Sequence, residues 1–200
     1  MPVANESRKG KKKSRGGLRI VAGNWRSRVL EIADVPGLRP TAERIRETLF
    51  NWLAPRIAGA RCLDLFAGTG ALGLEALSRG AASAVFVEKS DRAIDGLRRN
   101  VAILDAGGAV VRPGTATDYL SAAGNGCFDI VFLDPPFADD NLDELCRLID
   151  ESGLLASGAN VYLEQGRAKP DPALPDGWSV LKNKLAGNVR YMLVAIGHRN

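Results

Sequence analysis

The sequence predicts an α/β fold: a doubly wound, mostly parallel sheet of seven strands, with an antiparallel C-terminal hairpin, preceded by a small N-terminal β-hairpin and a helix. Two observations carry this reading. From about residue 60, short apolar runs alternate with stretches of helical periodicity, the signature of strand–helix–strand units. Near the end the alternation gives way to two strand-like runs about Gly187-Asn188, a tight-turn signal. The size agrees: 200 residues suit one domain with a small appendage, long enough to bury a core without metals or disulfides.

Taken in order, residues 1–17 are rich in Lys, Arg, Gly and Ser, lack periodic apolar positions, and are expected to be disordered. Residues 18–32 read as two short strands about Gly23-Asn24. Pro36-Gly37 and Pro40 punctuate the chain, and Thr41 offers an N-cap. Ile45, Leu49, Trp52 and Leu53 then recur at helical spacing until Pro55, which predicts a helix over 42–54. Strand-like runs follow at Arg61–Phe66, Ala84–Glu88, Ala109–Arg112, Asp129–Asp134 and Asn160–Glu164, with helix-like stretches at 71–80, 91–104, 117–123 and 141–152. The run Ile130-Val131-Phe132-Leu133 is continuously apolar, as a strand buried on both faces requires. Trp178–Leu185 and Val189–Ile196 form the closing hairpin.

Charge is concentrated at one end. The chain carries +4 in total, but residues 1–28 hold nine Lys/Arg against one acid, Glu6, so that segment is +8 and the remainder −4. A cationic arm on an acidic body points to a polyanion bound through its phosphates. Cys62, Cys127 and Cys146 form no CxxC and sit among apolar neighbours, so reduced packing cysteines in a cytoplasmic protein are expected. The only histidine is His198, which leaves no internal imidazole for a triad or a His-ligated metal, and no metal site is expected. No apolar run is long enough for a transmembrane helix, and no secretory signal is expected behind the polar N-terminus.

The segment Leu63-Asp64-Leu65-Phe66-Ala67-Gly68-Thr69-Gly70-Ala71-Leu72-Gly73 follows a strand and opens a helix, and it contains GxGxxG at Gly68, Gly70 and Gly73. Glycines there let the backbone turn sharply and approach a ligand closely. Glu88 ends the next strand, where an acid can accept hydrogen bonds from both ribose hydroxyls. Together these place an adenosine-bearing ligand at the carboxyl ends of the strands, and no Gly-Lys-Ser/Thr follows to make a P-loop. A dinucleotide and S-adenosyl-L-methionine both remain open at this point. For the latter, Asp64 could hold the ammonium, while Arg44 or the Thr41 backbone could approach the carboxylate.

Asp134-Pro135-Pro136-Phe137 directly follows the apolar strand. Two prolines rigidify the turn and cannot donate hydrogen bonds, the acid supplies an acceptor, and Phe137 supplies a flat face. Methylation of an exocyclic amine on a nucleobase needs this set. Such a nitrogen is a poor nucleophile because its lone pair is delocalised into the ring. Accepting its two N–H bonds, from the Asp134 carboxylate and the Pro135 carbonyl, aims that lone pair at a methyl sulfonium, and Phe137 can stack on the extruded base.

With these motifs the chain resembles class I S-adenosylmethionine-dependent methyltransferases. More narrowly it resembles the RsmD family, which methylates the N2 amine of one guanine in bacterial 16S ribosomal RNA. The matching residues are Arg19–Arg28, Leu38-Arg39-Pro40-Thr41, Arg44-Ile45-Arg46-Glu47-Thr48-Leu49-Phe50-Asn51-Trp52-Leu53, the glycine loop from Asp64 through Gly80 and the Asp134–Phe137 turn; the block from Arg39-Pro40-Thr41 to Asn51-Trp52-Leu53 narrows the family. The resemblance spans roughly residues 18–197. It implies a Rossmann-like domain over 56–200 and an N-terminal hairpin and helix over 18–55 that contacts RNA and lids the cofactor. Phe66, Ala67, Gly68 and Gly70 would then lie on the cofactor with Asp64, Glu88, Thr41, Arg44 and Asp134, and the backbone near Gly114-Thr115 would meet the adenine. Asp134, Pro135, Pro136 and Phe137 would act in catalysis, and Arg15, Arg19, Arg26, Arg28 and Arg39 would grip RNA. The partner implied is 16S rRNA or the small subunit, engaged by a monomer with no membrane contact.

Residue chemistry agrees in part with that implication. Guanine presents N1–H and N2–H side by side, two donors for one carboxylate, whereas adenine's N1 would face Asp134 lone pair to lone pair. The competing readings are a DNA or RNA adenine-N6 methyltransferase and a non-catalytic RNA-binding ribosome-assembly factor. An NAD-dependent oxidoreductase would leave Asp134–Phe137 unexplained.

Overall fold

The computed structural model describes residues 17–38, 40–122, 128–139 and 141–197. The basic tail before residue 17, including Arg15, lies outside the described residues, as do Arg39, Cys127 and His198. Strands β1 (Gly17–Arg19) and β2 (Val29–Glu31) pair antiparallel, and helix α1 (Glu43–Leu53) follows. The main body runs β3 (Arg61–Asp64), α2 (Ala71–Ser78), β4 (Ser83–Glu88), α3 (Asp91–Leu104), β5 (Ala109–Pro113), α4 (Ala116–Ala122), β6 (Phe128–Leu133), α5 (Leu142–Glu151), β7 (Leu155–Gly166), β8 (Trp178–Ala186) and β9 (Val189–Ile196). The seven-stranded sheet has the order β5-β4-β3-β6-β7-β9-β8. Strands β3 to β7 are mutually parallel, and β9 pairs antiparallel with both β7 and β8.

This order has one functional consequence. From β3 the chain winds outwards through β4 to β5, then returns to lay β6 on the other side of β3. The loops leaving β3 and β6 therefore diverge, and a crevice opens between them at the carboxyl edge of the sheet. Alternate residues of each strand supply two cores. Cys62, Phe86, Phe132 and Tyr162 pack with α1, α2 and α3. Leu63, Val87, Val131, Leu133 and Leu163 pack with α4 and α5. Ile130 to Leu133 are wholly buried, which accounts for their unbroken apolar character. Cys62 and Cys146 are free thiols within these cores, and burial pushes both up to about 12, which makes them inert. Among the described residues no helix is long and apolar enough to cross a membrane.

Three local departures from the sequence expectation have physical causes. The N-terminal strands are shorter than a tight hairpin about Gly23-Asn24 would give, because the backbone between them bonds to α2 instead. The amides of Val21 and Ala22 donate to the Glu75 carboxylate at 2.8 and 3.0 Å, and that of Asn24 donates to the Ser78 carbonyl at 2.7 Å. Thr41 does not cap α1: Ala42 stands at the N-cap without a side-chain bond, and the Thr41 hydroxyl is used elsewhere. Strand β7 begins five residues before Asn160, with a register shift against β6 between Phe128 and Ile130 that takes up three extra residues of β7.

The Glu75–Arg46 pair is the buried polar centre of the N-terminal half, with the two side chains 0% and 1% exposed. Arg46 Nη1 donates to Glu75 Oε2 at 3.1 Å, its Nε to the Thr41 carbonyl at 3.1 Å, and its Nη2 to the Arg19 carbonyl at 2.8 Å. Arg79 Nε completes the Glu75 shell at 2.8 Å. A charge removed from such a pair leaves its partner buried and uncompensated. Glu75→Ala is therefore expected to lower the free energy of unfolding by ~3–5 kcal/mol. Urea titration checks this, and a loss within about 0.5 kcal/mol, as for an ordinary surface substitution, would show the pair to be dispensable.

Candidate active site

A cleft of about 1060 Å³ occupies the crevice at the carboxyl edge. The loop from β3 and the ends of β4 and β5 form one wall, and the turn after β6 with the end of β7 forms the other. The segment from Val35 to Ala42 and Ile45 of α1 also line it, so the N-terminal appendage contributes directly to the site.

The glycine loop owes its shape to two positions. Gly70, at the N-cap of α2, has φ +80°, and its amide closes a turn on the Ala67 carbonyl at 2.7 Å. A Cβ on Gly73 would stand 2.2 Å from the Phe86 ring, so that glycine lets α2 lie against β4. Glu88 anchors the loop from the neighbouring strand: Oε2 accepts the Gly68 amide and Oε1 the Ser90 amide, each at 2.8 Å. A carboxylate has about four acceptor positions, so both oxygens retain capacity for a pair of ribose hydroxyls. Asp64 is 2% exposed and accepts the Gly73 amide at 3.1 Å. Burial, with the Asp134 charge adding to it, pushes its carboxyl up to about 7. An ammonium group placed beside it would favour its ionised form.

On the opposite wall, Asp134 accepts the Thr41 hydroxyl at 3.1 Å. Burial raises its carboxyl to about 6, opposed by this hydrogen bond. Pro135 and Pro136 continue along the cleft, and Phe137 stands 40% exposed on its lining. A fourth acid, Glu164 at the end of β7, also lines the cleft and is 5% exposed. It accepts the Tyr162 hydroxyl at 2.6 Å, and burial first, then the Asp134 charge, raises it to about 8. Glu164 was not among the residues singled out from sequence. Its signal is the one that marks Glu88 and Asp134, an acid closing an apolar parallel strand.

The structure brings Thr41, Asp64, Phe66, Ala67, Gly68, Glu88, Gly114, Thr115, Asp134, Pro135, Pro136 and Phe137 together on one cleft. Two expected cofactor residues are not on its surface. Gly70 is buried behind the loop that it shapes. Arg44 is exposed and off the cleft, because the turn of α1 that presents Ile45 to the cleft rotates its neighbour outwards. Thr41 and Ala42, at the N-terminus of α1, do line the cleft. The Thr115 hydroxyl is held by Asp118 at 2.7 Å, so this residue offers the cleft its backbone. Arg19, Arg26 and Arg28 are exposed on the N-terminal ribbon and its connection, with Arg19 3.8 Å from Glu43 and Arg28 bonded to the Ile103 carbonyl at 3.1 Å.

The lining fits S-adenosylmethionine: an acceptor pair for ribose, a backbone edge for adenine, and buried carboxyls without a lysine or arginine partner among the described residues, suited to a cationic ligand. The family described as Conserved hypothetical protein 95 matches residues 18–195. The chain belongs to this family. Ribosomal RNA small subunit methyltransferase D of Escherichia coli strain K12 is 48% identical over 178 residues, covering 89% of each chain. Its namesake in Haemophilus influenzae is 41% identical over 183 residues, covering 90% of this chain and 94% of the relative. The solved structure of Escherichia coli yhhF superposes with a TM-score of 0.85 at 44% identity, covering 92% of this chain and all of that one. The sheet, the cleft and this membership make the chain a methyltransferase whose cofactor is S-adenosylmethionine.

The Thr41–Asp134 bond has a measurable consequence for that methyltransferase. The bond favours the ionised form of Asp134, the form in which both carboxylate oxygens can accept N–H bonds. Methyl transfer is expected to fall as pH drops through about 6. Thr41→Val removes the bond, so the Asp134 pKa rises further and the acid limb of kcat/KM moves to higher pH. An unmoved limb in the variant would separate Thr41 from the chemistry.

Proposed function

We propose that the chain transfers the methyl group of S-adenosylmethionine to the exocyclic N2 amine of a specific guanine in 16S rRNA of the small ribosomal subunit. The observation that carries the proposal is Asp134, a half-buried carboxyl beside a diproline turn and an accessible phenyl ring, on the same cleft as the glycine loop. The relatives named ribosomal RNA small subunit methyltransferase D support an RNA substrate from the small ribosomal subunit.

When bound, the cofactor supplies an electrophilic methyl on a sulfonium. The protein supplies orientation. The Asp134 carboxylate and the Pro135 carbonyl accept the amine's N–H bonds and turn its lone pair towards the methyl. Neither Pro135 nor Pro136 has an N–H to compete for these acceptors. Phe137 stacks on the extruded base, and the surrounding apolar walls exclude water, which strengthens each polar contact. Asp134 then takes the proton that the methylated amine gives up.

The appendage over 18–55 completes the assignment. Its segment from Val35 to Thr41 lids the cofactor side, while Arg19, Arg26 and Arg28, with Arg15 and Arg39, hold RNA phosphates. A monomer working in the cytoplasm, where small subunits are assembled, is consistent with this chemistry. The adenine-N6 reading shares the same turn, and nucleoside analysis separates the two.

Asp134→Ala is expected to abolish methyl transfer to small-subunit rRNA while S-adenosylmethionine binding by calorimetry persists; retained turnover would remove Asp134 from its role. Mass spectrometry of the wild-type product should show N2-methylguanosine, and N6-methyladenosine would replace guanine as the target. Deletion of residues 1–17 should weaken RNA binding chiefly at low salt and flatten its salt dependence; an unchanged slope would make the arm idle.

A further inference from the structure

We propose that Glu164 reads the target base, donating a hydrogen bond to guanine O6 while Asp134 accepts from N1–H and N2–H. The proposal rests on the guanine reading above and assigns the side chain that makes the site selective for that base.

The placement comes from strand register. Strands β6 and β7 run parallel with Leu133 opposite Leu163, so the next residues, Asp134 just past the end of β6 and Glu164 within β7, stand at the same level and on the same face. Both line the cleft. No lysine or arginine among the described residues forms an ion pair with either. Nor does any group of three acids, cysteines or histidines among the described residues converge to hold a metal ion between them.

Two neighbouring carboxyls in a poorly solvated cleft, with no lysine or arginine paired to either among the described residues, cannot both be ionised at little cost, so the pair retains one proton. Glu164, 5% exposed where Asp134 is only half-buried, is the member that burial and the neighbouring Asp134 charge raise, and it keeps the proton. The Tyr162 hydroxyl donates to Glu164 Oε2, which leaves the other oxygen to carry the proton towards the cleft. The site then offers a carboxylate that accepts and a carboxylic acid that donates.

That pair complements guanine. Read from the amine, the guanine edge runs donor at N2, donor at N1, acceptor at O6. Asp134 spans the first two and Glu164 meets the third. Adenine held by its amine sets N1, an acceptor, against Asp134 and a C–H against Glu164. The second carboxyl thus supplies discrimination that Asp134 alone makes only partly, because a site with buried hydrogen-bonding groups penalises a base that leaves them unpaired.

The test replaces one atom of the substrate. The methylated position is mapped in rRNA treated with wild-type protein, and transcripts are ligated with guanine or 6-thioguanine there. Sulfur is a weak acceptor, while N1–H and N2–H are unchanged. Wild-type protein should favour guanine over 6-thioguanine by about tenfold in kcat/KM. Glu164→Ala should bring that ratio to near one, and Glu164→Gln, whose amide restores a donor, should recover it. Equal ratios in wild type and Glu164→Ala would overturn the O6 contact while leaving the guanine reading intact. A wild-type product methylated on adenine would overturn both.

Discussion

The site depends on a buried charge pair that never touches a substrate. Glu75 and Arg46 meet where α2, α1 and the N-terminal segment converge, and each hydrogen-bonds to backbone as well as to its partner. Arg46 holds the Thr41 carbonyl, and the Thr41 hydroxyl reaches across the cleft to Asp134. A path of direct bonds thus runs from α2, through α1 and Thr41, to the Asp134 carboxyl. The pair's value lies in geometry more than in net stabilisation, since desolvation offsets much of the Coulombic attraction between two buried ions.

The electrostatic character of the cleft follows from its topology. Parallel strands β3, β6 and β7 carry acids at or near their carboxyl ends, Asp64, Asp134 and Glu164, into one poorly solvated space. Each is raised above the ordinary carboxylate range, chiefly by burial. A space that resists negative charge when empty is stabilised by a cationic ligand, so binding and ionisation favour one another. The glycine loop adds backbone and little charge, which suits a ligand without phosphates. Glu88 closes a further strand, but its oxygens are drawn into amide hydrogen bonds and serve shape as well as recognition.

Much of this was legible in the sequence because the signals are local. A strand buried on both faces must be apolar throughout, and Ile130–Leu133 shows it; a loop that turns sharply into a helix needs glycine, and Gly70 marks it. The acid after β6 and its two prolines are contiguous, so their chemistry is readable as a unit. The failures share the opposite property. Thr41 satisfies every local criterion for a cap, yet its hydroxyl bonds 93 residues away. Arg44 and Arg46 sit two apart on one helix, and only the packing of α1 decides that Arg46 turns inwards and Arg44 outwards. Residues 20–28 contain a good turn dipeptide, but the amides of Val21, Ala22, Asn24 and Trp25 bond to Glu75 and Ser78 of α2 instead.

By itself the sequence determined the order of strands and helices, the glycine turn, the acid–diproline–phenyl corner and, through them, the family. Those features are set by neighbours along the chain, where backbone geometry and apolar periodicity act. Which strands lie side by side, and so which acids share a cleft, was decided only by the tertiary structure. Register between β6 and β7 is a long-range property, and it alone sets Glu164 beside Asp134 and turns two separate carboxyls into one coupled pair.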